Sequence, residues 1–284
     1  MNHELDQWLI QAGMGSIVQQ NRLSGGSINE ASRLLLDTGS ALILKQHPKP
    51  PANMYRAEAE GLIALSEGTS LRVPQVIHTA ENFILLEDLG SGRQSSNFWQ
   101  QLAYGLAELH SHKVQHFGFS MDNYCGSTPQ INTPLVDGHE FFAMRRLLHL
   151  GRQCLDAGLL DSQTFTAIEH VAENLSTWIP NQAAVLIHGD LWSGNIHCDE
   201  SGQPALIDPA AYWGWAEAEL AMTLLFGGFP QEFYQCYGYT AGINEQWRER
   251  AGLYNLYHLL NHLLLFGSSY LGQIRTGLQP YLRN

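Results

Sequence analysis

Lysine is nearly missing from this sequence: in 284 residues it occurs only as Lys45, Lys49 and Lys113. With a formal net charge of −12, the chain has no basic run that could neutralise a row of phosphates, so nucleic-acid binding is not expected. An anionic membrane surface would repel it too. Cysteine is equally sparse. Cys125, Cys154, Cys198 and Cys236 lie far apart with no CxxC pair, which argues against an oxidised framework or a structural zinc and for reduced thiols in a cytoplasmic protein. No apolar run reaches membrane-spanning length. The stretch from His258 to Gly267 carries two histidines and an asparagine and is too short. The first residues, Met-Asn-His-Glu-Leu-Asp, lack the charged-then-apolar pattern of a secretion signal. Internal repeats and low-complexity segments are absent as well. What remains, 44% hydrophobic and 15% charged residues, is the composition of an ordinary globular enzyme, large enough for one big domain or two lobes.

The pattern of apolar residues divides the chain near residue 90. Residues 3–12 read as a short amphipathic helix with Leu5, Trp8, Leu9 and Ala12 on one face. Strands are expected over 17–23, 31–36 and 41–45, with turns at Gly25-Gly26 and at 37–40. Pro48, Pro50 and Pro51 make 47–53 a loop, followed by a helix over 54–65 and strands over 73–78 and 82–87. Beyond Ser95, helices are expected over 97–110, 140–157, 161–178, 217–225 and 246–270. The expected architecture is therefore α+β, two-lobed, with a small antiparallel sheet and one helix over 1–89 and a mainly helical lobe over 90–284. Gly90 to Gly92 would be the hinge, and the cleft between lobes the ligand site.

The chemistry concentrates in one stretch. The apolar run Val185-Leu186-Ile187 delivers His188-Gly189-Asp190; Asn195 follows five residues after Asp190, and a second apolar run, Ala205-Leu206-Ile207, delivers Asp208. Two short strands joined by a tight turn would bring Asp190, Asn195 and Asp208 together. Phosphoryl transfer needs such a set: one carboxylate to orient the attacking hydroxyl and accept its proton, an amide oxygen and a second carboxylate to hold magnesium. The pattern H-x-D-x4-N with a later strand-borne Asp matches the kinase signature, except that Asp-Pro-Ala stands where Asp-Phe-Gly would. Asp, Asn and Gly are also ordinary turn residues. The upstream residues weigh against that blander reading. Leu42-Ile43-Leu44-Lys45 is an apolar strand ending in one of the three lysines, and Glu58 lies 13 residues on, in the next helix, placed to pair with it. The alternative for Glu58 is a solvated helix face shared with Glu60. Ser24-Gly25-Gly26-Ser27 would let backbone N–H groups approach phosphates, although two glycines alone are more often a hairpin turn. The segment Glu87-Asp88-Leu89 would offer backbone groups to an adenine.

Together these elements resemble the fructosamine kinase (ketosamine-3-kinase) family, a branch of the protein-kinase-like fold related to aminoglycoside and choline kinases. The specific part is HGDLWSGN, with its Trp192-Ser193-Gly194 filling. The likeness continues in Phe117-Gly118-Phe119, Met121-Asp122-Asn123, Thr128-Pro129-Gln130, Asp208-Pro209-Ala210, Tyr212-Trp213-Gly214 and Leu225 to Pro230, and covers nearly the whole chain. The resemblance implies ATP- and Mg2+-dependent phosphorylation of the 3-hydroxyl of ketosamines such as fructoselysine or ribuloselysine. The unstable 3-phosphate then releases the free amine, an activity regarded as protein deglycation. It implies Asp190 as proton acceptor, Asn195 and Asp208 as metal ligands and Lys45 with Glu58 as the nucleotide-positioning pair. Gly25, Gly26 and Ser27 would form the phosphate turn, and Glu87, Asp88 and Leu89 the adenine hinge. Many members carry Cys where this chain has Ser27, so a thiol switch at that turn is not expected.

Aromatic faces at Trp192, Trp213 and Trp215 would stack on the sugar or its amine substituent, although each of the three equally suits a core. Glu217 and Glu219 sit where a helix favours carboxylates for dipole reasons alone, with bracing of the catalytic loop as the alternative. His258 and His262 have i, i+4 spacing but no HExxH glutamate, and read as core or cleft histidines. His110, His112 and His116 read as a helix end and a loop. Two further functions stay open at this level: a kinase for another amino-alcohol, aminoglycoside or free sugar, and a nucleotide-binding pseudokinase. Against the latter, the strand lysine, the loop Asp and the metal Asp are all present.

Overall fold

A computed structural model describes residues 3–23 and 30–282. In chain order the elements are α1 (His3–Gln11), β1 (Ile17–Arg22), β2 (Glu30–Leu36), β3 (Ala41–Gln46), α2 (Met54–Gly68), β4 (Val76–Thr79), β5 (Phe83–Glu87), α3 (Phe98–Leu109), β6 (Lys113–Val114), β7 (Asn123–Cys125) and β8 (Thr128–Gln130). There follow α4 (Gly138–Phe141), a π-helical stretch (Phe142–Leu148), α5 (His149–Asp156), α6 (Ser162–Glu173), α7 (Leu175–Trp178), β9 (Ala184–Ile187), β10 (Ile196–Cys198), β11 (Pro204–Leu206), β12 (Tyr212–Gly214), α8 (Ala216–Leu225), α9 (Gln231–Ala241), α10 (Trp247–Phe266) and α11 (Leu271–Leu278). The expected α+β arrangement is present: a small antiparallel sheet followed by a mainly helical remainder. Among the described residues, no helix is long and apolar enough to cross a membrane.

The sheet runs β1-β2-β3-β5-β4, antiparallel throughout, and its two faces belong to different cores. Side chains alternate along a strand, so Leu42 and Leu44 of β3 join Leu34, Leu36, Phe83 and Leu85 under α1, whose Leu5 and Leu9 seal a small separate cluster. Ile43 and Lys45 therefore face the other way. On that side Ile84 and Leu86 of β5 meet Tyr55, Ala59, Leu62 and Leu65 of α2 and continue into the main core. The alternation that makes β3 apolar on one face thus aims Lys45, its penultimate residue, at α2.

Several expected boundaries moved, each for a local reason. The strand expected over 73–78 begins only at Val76, because Pro74 has no N–H to contribute to a ladder. The helix expected over 161–178 breaks at Asn174, and the one expected over 246–270 stops at Phe266, where Gly267 turns the chain at φ 88°. The helix expected over 140–157 starts at Gly138, under an Asp137 side chain that accepts from the N–H groups of His139 and Glu140. It then widens into the π-helical stretch. Helices α9 and α11 were not foreseen; their glycines (Gly238; Gly272 and Gly277) and the aromatic run of α9 mask a helical period.

The Gly90–Gly92 linker is tied down rather than loose. The Leu89 carbonyl accepts from the Glu200 N–H at 3.0 Å, the Gly92 N–H donates to Cys198 O at 3.3 Å, and the Ser95 N–H donates to Gly202 O at 3.0 Å. All three partners lie at the turn between β10 and β11, so the hairpin that carries Asn195 at one end and leads to Asp208 at the other is pinned to the linker at its tip.

Candidate active site

Strand β9 is buried along its whole length between β6 and β12 and ends at His188, which is fully buried. Gly189 follows at φ 81°, and a Cβ there would lie 2.1 Å from Ala210 O, so only glycine allows the chain to pass beneath the Asp208–Ala211 segment. The His188 side chain joins the two halves of the motif. Its Nε2 lies 2.8 Å from Ile207 O, while its Nδ1 accepts from the Asp190 N–H at 3.3 Å. A ring nitrogen facing a carbonyl must carry the proton, so the tautomer is the Nε2–H form. Burial, opposed by the Glu219 carboxylate, holds this imidazole below its ordinary pKa, and it stays neutral.

Asp190 then points into the site. Asn195 Nδ2 donates to its main-chain carbonyl at 2.8 Å and to its Oδ2 at 3.1 Å. Both amide hydrogens of Asn195 are thereby directed at Asp190, and the amide oxygen is turned away from it, free to serve as a ligand. Burial pushes the Asp190 carboxyl up to about 7, against the Asn195 hydrogen bond and with the charges of Asp208 and Glu219. That is the range a proton acceptor working near neutrality needs.

Asp208 occupies the left-handed region at φ 56°, a conformation that a non-glycine residue holds only when its surroundings enforce it, at a cost of about 1–3 kcal/mol. The enforcing bonds are visible. The Ile207 N–H donates to Asn195 O at 3.1 Å and the Ala210 N–H to His188 O at 2.9 Å. Gln130 Nε2 donates to Ala210 O at 3.0 Å, and Asn123 Nδ2 to Ala211 O at 2.8 Å. Gln130 and Asn132 both donate to Asn123 Oδ1, and Arg146 donates to Asn132 Oδ1 at 2.8 Å. This buried polar web gives the Met-Asp-Asn and Thr-Pro-Gln motifs a structural role: they hold up the Asp-Pro-Ala segment.

Lys45 reaches the same place from the sheet. Its Nζ lies 3.0 Å from Asp208 Oδ1 and makes an ion pair with Glu58 of α2, while Glu60 is exposed. Burial alone would lower the lysine's pKa, but the Asp208 and Glu58 carboxylates outweigh it and hold the ammonium charged. Half of the Asp208 side chain, 44%, remains open to solvent, so an incoming ion or phosphate can reach it. The donor set of one carboxylate oxygen at Asp208 and one amide oxygen at Asn195 suits a hard divalent cation that keeps most of its waters.

Glu219 was weighed as a helix-start carboxylate and proves to be the brace of the loop. It is buried, and its two oxygens accept from the His188 N–H at 3.0 Å and the Gly189 N–H at 2.9 Å. His110 Nε2 meets it at 3.1 Å, and His110 Nδ1 meets Tyr237 Oη at 2.7 Å. Burial would raise the Glu219 carboxyl, but His110 and the His188 N–H outweigh it and keep the group ionised. His110 is therefore a buried hub and not merely the end of α3, whereas His112 and His116 are exposed. Glu217 serves a different purpose, accepting from Arg250 and Tyr254.

The profile of the fructosamine kinase family matches residues 1–284. The chain belongs to that family. A probable ketoamine kinase of Synechocystis is 37% identical over 275 residues, covering 94% of this chain and 91% of that one. The chloroplastic protein-ribulosamine 3-kinase of Arabidopsis thaliana is 35% identical over 288 residues, covering 98% and 87%. A candidate fructosamine-3-kinase of Thermobifida fusca, solved by crystallography, superposes with a TM-score of 0.89 at 29% identity over 99% of both chains. An ADP-bound aminoglycoside phosphotransferase aligns with a TM-score of 0.64 at 16% identity over 98% of this chain and 97% of the other; at that identity the likeness shows the protein-kinase-like fold alone. Membership makes this chain an ATP-dependent phosphotransferase with an alcohol acceptor, and ATP comes with a divalent metal.

Within this fructosamine kinase the structure brings Lys45, Glu58, Asp190, Asn195 and Asp208 into one connected set. The glycine turn with Gly25, Gly26 and Ser27 lies outside the described residues. At the expected adenine segment, the side chains of Glu87 and Asp88 are committed elsewhere, to Arg72 and Arg33, and the Leu89 carbonyl to Glu200. Trp192 is about a third exposed, with its edge on Phe226. A Cβ on Gly194 would lie 2.3 Å from the Trp192 ring, the physical reason for glycine in the Trp-Ser-Gly filling. Trp213 lies in β12, paired to Leu186 and partly buried against the main core, and Trp215 is buried among Phe117, Phe142 and Tyr254. Sequence reasoning missed Arg146. The π-helical stretch turns it fully inward, its guanidinium 4.1 Å from the Tyr212 ring centroid and 4.7 Å from that of Phe141. The pair Arg145-Arg146 amid the apolar residues of Phe141 to Leu148 was the available signal.

Proposed function

We propose that this protein is a Mg2+- and ATP-dependent ketosamine 3-kinase, phosphorylating the 3-hydroxyl of ribulosamine- or fructosamine-type adducts in protein deglycation. The observation that carries the reading is the convergence of Asp190, Asn195, Asp208 and Lys45, separated by up to 163 positions in sequence, on one site that solvent reaches at Asp208. Residues 1–89 would bind nucleotide and residues 90–284 would supply catalysis and the acceptor site.

In this reading Asp190 takes the proton of the 3-hydroxyl as that oxygen forms its bond to the γ-phosphorus. The bond from phosphorus to the β,γ-bridging oxygen breaks, and ADP leaves with the electron pair. Asn195 donates one amide N–H to the Asp190 carboxylate and the other to the Asp190 main-chain carbonyl, so the acceptor meets a fixed oxygen. Asn195 Oδ1 and Asp208 would hold Mg2+, which supplies charge neutralisation at the transferring phosphates. Lys45, kept charged and aimed by Glu58, would leave Asp208 for the nucleotide's α/β-phosphates. The Ser24–Ser27 turn would lie over those phosphates. The adenine would dock on main-chain groups of Glu87 and Leu89, Asp88 contributing only its place in the chain. Trp192 and Trp213 are the acceptor-stacking candidates; Trp192, exposed beside the loop, is the better supported of the two. Four unpaired thiols suit a cytoplasmic setting.

The test is a panel of acceptors with ATP and Mg2+. Ribuloselysine or fructoselysine should be phosphorylated and aminoglycosides, choline and free sugars should not. Turnover confined to the latter group would move the protein to another small-molecule kinase class. ATP binding without transfer to any acceptor would make it a pseudokinase.

A further inference from the structure

Asp190 has neighbours that the kinase reading does not use. Cys125 of β7 and His258 of α10 each present a ligand atom there; the thiol sulfur, an imidazole nitrogen and an Asp190 carboxylate oxygen all lie within 4.8 Å of one another. Cys125 and His258 are 2% and 5% exposed. His258 Nδ1 is buried without a hydrogen-bond partner, and so is the side-chain oxygen of Asn261 one turn along α10. Buried polar atoms without partners are rare in folded proteins and call for an explanation such as an ion.

We propose that Cys125, Asp190 and His258 form a second cation site, for a borderline-soft divalent ion of the zinc type, whose occupation switches the kinase off. The chemistry of the donors separates it from the nucleotide-metal site. Thiolate, imidazole and carboxylate together are a zinc set, whereas Asn195 and Asp208 offer only hard oxygens. Three protein ligands with an open fourth position is the arrangement of non-structural zinc sites. Bonds of 2.0–2.3 Å put tetrahedral ligand atoms roughly 3.3–3.8 Å apart, so the three side chains need to draw in by about 1 Å. Binding releases the thiol proton to solvent. Burial and the neighbouring Asp190 charge hold the Cys125 thiol well above its ordinary pKa, with Arg146 only partly opposing them, so the ion must displace the thiol proton; burial, then His262 and Arg146, keep His258 neutral, the form that ligates. An ion so held draws electron density from the carboxylate to which the acceptor hydroxyl must give its proton, and so lowers its basicity. This switching consequence rests on Asp190 being the proton acceptor; metal binding itself does not.

The experiment uses the full chain, freed of metal by chelation and without nucleotide. Zinc chloride titrated calorimetrically should bind at one ion per chain. Cobalt(II) in its place should give a near-ultraviolet thiolate-to-metal charge-transfer band. Cys125→Ala should abolish that band and weaken zinc binding ~100-fold, with His258→Gln weakening it comparably as a second variant. In kinase assays zinc should inhibit the parent, and excess Mg2+ should not relieve it. Cys125→Ala should keep its basal turnover and lose the inhibition. Absence of the cobalt band, zinc affinity unchanged in both variants, or inhibition reversed by Mg2+ would each overturn the proposal.

Discussion

The two ends of the site are held by opposite means. At the sheet end, Lys45, Glu58 and Asp208 are joined by charged side-chain hydrogen bonds, across a boundary where the Asp208 side chain is 44% exposed. At the loop end, His188, Gly189 and Asp190 are fixed by main-chain and neutral hydrogen bonds, with one buried carboxylate, Glu219, accepting from two successive N–H groups. The difference follows from what each end must do. A phosphate or metal ion can replace one partner of an ion pair, because the pair's members accept new counter-charges readily. A proton acceptor must not move, and hydrogen bonds to a backbone fix direction where charge attraction does not. The charged end is built to be rearranged and the loop end to stay put.

The largest expected effect lies at the loop end. Asp190→Asn should lower turnover by roughly 10³-fold, near the middle of the general-base range, with ATP binding retained in an equilibrium titration. It should not destabilise the fold above neutrality. Asp190 has a folded-state pKa raised to about 7, so its ionised form is penalised as pH rises from the ordinary carboxylate range through 7. The asparagine variant escapes that penalty and should melt at or above the parent's temperature at pH 8. The two should converge in acid.

Next comes the brace. Glu219→Ala leaves two buried N–H groups and His110 without their acceptor, and should cost about 3 kcal/mol in chemical denaturation. The same comparison is sharpened at the other end by Lys45→Met. This variant leaves Glu58 buried and unpaired and should destabilise the fold, but adding Glu58→Leu should recover most of that loss without restoring turnover. If the double variant regained activity, the pair would be structural and the contrast between the ends would fail.

A smaller effect is the pH profile. Because Asp190 must be ionised to accept a proton, kcat/KM for the acceptor should climb tenfold per pH unit below about 7 and level off above it. A profile flat from pH 5 to 8 would remove Asp190 from the role. Smallest is Trp192→Ala, expected to raise the acceptor KM by a few-fold with kcat nearly unchanged, as lost stacking of about 1 kcal/mol implies.

The same contrast explains what the sequence disclosed. The charged end was legible because a lysine closing an apolar strand is rare in a chain with three lysines, and alternation along β3 fixed the face it lies on. Asp190, Asn195 and Asp208 were legible through the spacing of a known signature. The brace was legible only as an alternative, since Glu219 sits in a helix's first turn, where carboxylates are common for dipole reasons. Its partners are backbone N–H groups, which have no letter in a sequence. Arg146 escaped for a related reason: only the π-helical stretch, invisible to a 3.6-residue pattern, turns it inward. His258 is buried, as a core or cleft histidine on an apolar helix should be; its neighbour Cys125, 133 positions away, is brought beside it only by the fold.

The central claim is that Asp190 activates the 3-hydroxyl of an amine-linked ketose for attack on ATP. Its most direct test is 31P NMR of the protein with ATP, Mg2+ and ribuloselysine, followed in time for parent and Asp190→Asn. A 3-phosphate resonance should appear in step with ADP in the parent and then decay as free lysine accumulates, and it should be absent in the variant. ADP formation at equal rates in both proteins, or phosphate on any other hydroxyl, would contradict the account.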